Sequence, residues 1–253
     1  QADQLAQVNP FINPQFQHAM YFPQIANVRN PRLLQSMIGY LKQHPKVEFI
    51  EHCPIEQFNI VNGKVQSIRS QNKQTYFADQ FVITTGAWSK HWSEQLDLDI
   101  PVQPVQGQMV LFKTPENWLP TMCMNKVMYL IPRLDGHVVC GSSMANCGFD
   151  TTPTAATKQT ILEACFEMVP ELAAFPIVKQ WAGLRPSSPT GVPYIGKMPE
   201  LDNLWANFGH FRNGLCMGPA SARLLRQLIL KQPTLLDPTA FCPTRLTAKV
   251  LTT

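Results

Sequence analysis

Two arginines in unusual company are the first residues able to do chemistry. Arg185 stands in WAGLRPSSPTGVPYIG and Arg212 in GHFRNG, among apolar residues, prolines and glycines, with almost no acid nearby. An arginine cannot shed its charge in a protein, so burying it demands an anionic partner. Where no protein carboxylate serves, a ligand carboxylate or phosphate does, gripped by two parallel hydrogen bonds. Gly209 and Gly214 let the backbone approach a flat ligand closely. Pro219 reads as the opening of an apolar helix, PASARLLRQLIL, whose free N–H groups would face whatever lies beside GHFRNG. The plain alternative is a surface loop carrying two solvated arginines.

WAGLRP, GVPYIG and GHFRNG, in that order, resemble the signature of the FAD-dependent amine oxidases of the D-amino acid oxidase superfamily. Within it the chain is most similar to the bacterial glycine oxidases that feed thiazole synthesis for thiamine. The resemblance extends upstream through MYLIPRLDGHVVCGSSM, PVQGQMVLF, VITTGAWS and the helix after Asn30-Pro31, and so covers nearly the whole chain. It implies FAD as cofactor and a small amino acid as substrate, whose α-hydrogen passes to the flavin as hydride. The products would be a 2-oxo acid, ammonia and peroxide. In such chemistry the flavin does the hard step while the protein orients and stabilises. No protein base is needed, which suits a motif region that offers arginine, tyrosine and methionine but no Ser-His-Asp set.

The resemblance also assigns roles. Arg185 is the clamp on the substrate carboxylate, and Arg212 a second arginine near carboxylate and flavin. Tyr129 lines the substrate pocket with its hydroxyl toward the carboxylate, and Met144 forms an apolar wall. Ile55 presents its backbone to the adenine. His210, Phe211, Arg212, Asn213, Gly214, Leu215 and Cys216 form the FAD-contacting run, where the following helix N-terminus would favour an anionic reduced flavin. Each role has a structural rival: backbone carbonyls on Arg185, loop organisation by Arg212, strand packing for Tyr129, core filling for Met144. His210 is read as holding backbone or packing rather than acting as a base, and Tyr194 as structural. Cys216 and Met217 depart from the branched aliphatics the family would place there, and Ser187-Ser188 leave the entrance polar.

These residues need elements to hold them. Residues 1–28 read as loop with one short strand. Asn30-Pro31 reads as an N-cap and first helical position, with Leu33, Leu34, Met37, Ile38 and Leu41 at helical spacing up to His44-Pro45. VEFI, IEQFNI, KVQSIRS and QTYFA alternate as strands, with Asn62-Gly63 as a hairpin turn. FVITTG is a buried strand feeding a loop. Strands follow in VQPVQGQMVLF, VMYLIPR and HVVCGSSM, turning at Asp135-Gly136. A helix capped by Thr152-Pro153 carries Ile161, Leu162, Cys165, Met168 and Val169. The expected fold is mixed α/β: an incomplete Rossmann-like, glutathione-reductase-type FAD domain (31–101 and 183–253) interleaved with an antiparallel-sheet substrate domain (1–30 and 102–182).

The chain of 253 residues is sparing with charge, at 15% charged residues and a net +4, and lacks any run of like charge. Nucleic acid therefore has no electrostatic footprint here. No apolar run approaches the ~20 residues of a membrane span. Seven cysteines without metal spacing point to free, mostly buried thiols, no metal, and the cytoplasm. No GxGxxG is present, so the resemblance implies that the N-terminal βαβ unit for the pyrophosphate is missing, by truncation or proteolysis, and that this chain by itself holds FAD weakly. Rival readings are a quinone-linked D-amino acid dehydrogenase, a sarcosine-type oxidase, a tRNA-modifying oxidase domain of the same fold, or a non-catalytic binding module. Self-association into a homo-oligomer stays open.

Overall fold

A computed structural model describes residues 2–248. The chain divides into two compact units, Gln1–Val28 with Val105–Leu184, and Arg29–Pro104 with Arg185–Thr253.

The first unit is built on a five-stranded sheet in the order Ile177–Ser187, Gln103–Lys113, His137–Gly141, Tyr129–Pro132, Cys123–Met124. Its three central strands pair antiparallel. Alternation decides its faces: Val110, Phe112, Leu130, Val138 and Cys140 turn inward onto the helix Ala155–Met168, which answers with Ile161, Cys165 and Met168. Gln106 and Gln108 also lie buried, and their amides are satisfied. Gln108 Nε2 donates to Gln106 Oε1 at 2.9 Å, and Gln108 Oε1 accepts from the Thr154 amide at 2.9 Å. The helix is capped by Thr154, whose Oγ1 accepts from the Thr157 amide, two residues beyond the Thr152-Pro153 the sequence suggested. Gly136 makes the turn of the last hairpin at φ +72°, where a Cβ would strike the Thr114 carbonyl. The first 28 residues hold a helix, Ala2–Val8, rather than the expected strand.

In the second unit Phe81–Ile83 runs parallel to Leu204–Phe208, which pairs antiparallel with Tyr194–Lys197. One face of this small sheet packs on the helix Gly214–Ile229 through Ile195, Trp205, Leu224 and Leu225. The other meets a meander of Ile55–Val61, Lys64–Ser70 and Thr75–Tyr76 through Val65, Phe81, Ile83, Ala206 and Phe208. Asn203, 1% exposed, pins meander to sheet: its Oδ1 accepts from the Val65 amide at 2.9 Å and its Nδ2 donates to the Val65 carbonyl at 2.8 Å. Asn62-Gly63 makes the predicted hairpin turn, both residues at positive φ (50° and 71°).

Three boundaries differ from expectation. VEFI is not a strand. The helix Asn30–Lys42 is capped by Arg29, so Asn30 is already helical, and it buries none of its residues: Leu34, Met37 and Ile38 face outward. Pro219 lies inside its helix, which starts at Gly214. A proline ring there forgoes one backbone bond, the one its missing N–H would give to Leu215.

Candidate functional site

The site in the second unit is a joint between a strand end and a loop. Arg185 lies near the end of Ile177–Ser187, half-buried and already engaged by its surroundings. Two residues on, Ser187 bridges antiparallel to His210, and the Phe211 amide donates to the Pro186 carbonyl at 2.8 Å. The strand carrying Arg185 and the loop carrying Arg212 are therefore tied backbone to backbone. Phe211 adopts a left-handed conformation at φ +49°, and Gly209, at φ +81°, packs so closely that an added Cβ would lie 3.4 Å from the Tyr194 ring and 3.5 Å from Ser188. The Asn213 amide bonds back to the His210 carbonyl at 3.0 Å, closing the turn.

The loop then becomes the helix Gly214–Ile229, which begins with no side-chain cap. Its first amide to bond back is that of Met217, to the Asn213 carbonyl at 2.9 Å, so the amides of Gly214, Leu215 and Cys216 have no acceptor among the described residues. Leu215 and Cys216 are exposed, as is Arg212, whose guanidinium bonds to nothing among the described residues. His210 Nε2 lies 3.0 Å from the Ser221 hydroxyl, about two turns into the helix, and burial pushes the imidazole pKa below its ordinary value. Two buried oxygens beside this loop, Ser188 Oγ and Asn207 Oδ1, have no hydrogen-bond partner among the described residues. Beneath it, Tyr194 is 4% exposed, packed against Phe208 with ring centroids 5.6 Å apart and planes tilted by 46°, and capped by the Arg245 guanidinium at 4.5 Å from its ring. Burial holds its phenol up, with Arg245 pulling the other way.

Three amides without an acceptor at a helix start form a donor set for an electron-rich ligand edge. A flavin's electron-rich edge is a ligand of that kind. Ile55 stands apart on the meander, half-buried against the core and in register with Ser70.

In the first unit, Tyr129 opens its strand half-buried, and its hydroxyl lies 3.3 Å from the Met109 sulfur. Met144 lies beyond the end of His137–Gly141 and is 60% exposed, so it does not fill the core. Nothing in the sequence marks Met109, Asn207 or Ser221: Met109 lies in PVQGQMVLF, but nothing along the chain announces which residue faces it two strands away.

A model of the family of FAD dependent oxidoreductases known as DAO matches residues 1–228. A glycine oxidase of Pseudomonas putida is 43% identical over 92% of this chain, and one of Pseudomonas aeruginosa 40% identical over the same share. The chain spans 64% of the length of either relative. The crystal structure of a glycine oxidase from Geobacillus kaustophilus superposes with a TM-score of 0.89, at 25% identity, over 96% of this chain and 65% of that one.

Proposed function

Because the chain belongs to the DAO family of FAD dependent oxidoreductases, we propose that the protein it represents oxidatively deaminates glycine or a small D-amino acid. The products are the 2-oxo acid, ammonia and peroxide. FAD, held by the run His210–Cys216, would supply the redox chemistry: acceptance of the α-hydrogen as hydride and delivery of the electrons to oxygen, with water supplying the 2-oxo oxygen as ammonia leaves. The chain's own residues bind and orient. Arg185 clamps the substrate carboxylate, Arg212 lends a second positive charge, and Tyr129 donates its hydroxyl to the same carboxylate, with Met144 as an apolar wall. The free amides of Gly214, Leu215 and Cys216 stabilise negative charge on the ligand edge they face. In this reading residues 1–30 and 102–182 make the substrate domain and 31–101 and 183–253 the flavin domain, with Ile55 toward the adenine.

The observation that carries the reading is the backbone joint of Ser187 with His210, which makes the Arg185 strand end and the Arg212 loop one piece. Likeness to the Pseudomonas enzymes supports glycine as substrate, and a role in thiamine synthesis follows the resemblance of the motifs. Seven free thiols support a cytoplasmic setting.

The test is Arg185→Leu in the FAD-loaded protein, assayed for peroxide with glycine and D-alanine. Loss of a charge-assisted bidentate contact lowers kcat/KM by about a hundredfold, with the circular dichroism spectrum unchanged. Arg185→Lys retains part of the activity, since it keeps the charge and loses the fork. Kinetics unaltered by Arg185→Leu remove the clamp.

A further inference from the structure

Met109, Gly141 and Tyr129 stand directly opposite one another on three successive strands of the first unit's sheet, with Met109 in register with Gly141 and Gly141 with Tyr129. Opposed residues share a face. The outer two are two strand spacings apart, about 9.5 Å, normally too far for contact past an intervening side chain. Here the middle residue has none. An added Cβ on Gly141 would lie 2.5 Å from the Met109 sulfur, so the thioether lies flat over the glycine and reaches the Tyr129 hydroxyl at 3.3 Å.

We propose that Met109 is a positioning residue for substrate binding: it aims the Tyr129 hydroxyl at the place where the substrate carboxylate arrives. A thioether is a weak acceptor. It fixes the direction of the O–H while leaving the bond easy to exchange for one to a carboxylate, which is a much stronger acceptor. A strong acceptor at position 109 would hold the hydroxyl back, and an apolar one would let it rotate. Gly141 is part of the device, because any side chain there displaces the sulfur. The inference rests on the reading of Tyr129 as a substrate ligand.

Two measurements separate the inference from that reading. In protein labelled with 13C-methyl methionine, Tyr129→Phe and Gly141→Ala each shift the Met109 methyl resonance, whose assignment comes from Met109→Leu. In the FAD-loaded protein, Tyr129→Phe raises KM for glycine about tenfold, and Met109→Leu and Gly141→Ala raise it about threefold, the worth of one modest hydrogen bond, with kcat little changed. Met109→Leu adds nothing in the Tyr129→Phe background, because its effect runs through the missing hydroxyl. An effect of Met109→Leu that persists there overturns the inference, as does an unmoved methyl resonance. If Tyr129→Phe raises KM and Met109→Leu does not, the inference alone falls. If Tyr129→Phe leaves KM unchanged, the reading of Tyr129 falls and takes the inference with it.

Discussion

His210 shows how much one side chain in the arginine loop is asked to do. Its backbone closes the turn to Asn213 and bridges Ser187, while its ring meets Ser221 in the helix. Its Cβ sits so close to Gly214 that a side chain there would lie 3.3 Å away. Burial penalises the imidazolium, so the folded pKa lies below the ordinary value. The unfolded chain then binds the proton more readily, and stability contributed by the neutral ring is whole above the unfolded pKa of about 6.5. It declines as pH falls below that value and is lost once pH has passed the folded pKa. Comparing Tm between pH 5 and 7 for the parent and His210→Gln isolates this contribution: the parent loses more Tm on acidification than the variant does. Equal slopes would show that the ring titrates alike in both states. The motif GHFRNG was legible because its glycines and arginine are conspicuous in apolar sequence. The Ser221 contact was not, since serine inside an apolar helix is ordinary and only the fold brings its hydroxyl to the ring.

Elements with similar patterns meet different fates. Both Asn30–Lys42 and Ala155–Met168 space their apolar residues helically, yet the first buries nothing and the second buries Ile161, Cys165 and Met168. Stability should follow burial. Ile161→Ala, at a position with no exposed surface, removes methyl groups from a packed core and costs about 2–5 kcal/mol in urea denaturation. Met37→Gln, at 51% exposure, stays within about 0.5 kcal/mol of the parent. A Met37→Gln loss as large as that of Ile161→Ala would mean that the face is covered in solution. Periodicity located both helices because the α-helical repeat is local. It misplaced the starts of Asn30–Lys42 and Gly214–Ile229, since Arg29 and Asn213 carry no side-chain capping bond for a sequence to advertise. It also took VEFI for a strand, because alternation over four residues specifies extended backbone without specifying a partner to pair with. Pro219 misled for a related reason: proline favours a first turn, and here the helix was already under way.

Across the whole molecule the cysteines were expected to be mostly buried, and only Cys140 and Cys165 are; Cys147 and Cys216 are exposed and the other three half-buried. An aromatic disulfide reagent should therefore modify two thiols at once in the native protein, three more slowly, and Cys140 and Cys165 only on unfolding. Burial also pushes the Cys140 and Cys123 thiols up, which keeps them protonated and slow. Prompt reaction of all seven would contradict the packing of the first unit. The division into two units has a different kind of consequence. The chain passes between them at 28/29, 104/105 and 184/185, and the last two points fall inside Gln103–Lys113 and Ile177–Ser187, which are neighbours in one sheet. A segment exchanged between related genes at those two junctions enters and leaves through adjacent strands, as an inserted cassette would. Residues 1–28 must travel with it, because Asn9 and Asn13 bond to Thr121 and to the Glu167 carbonyl. Recombination that respects both conditions can trade one sheet-and-helix unit for another while leaving Arg185, first residue past the second junction, on the recipient's side.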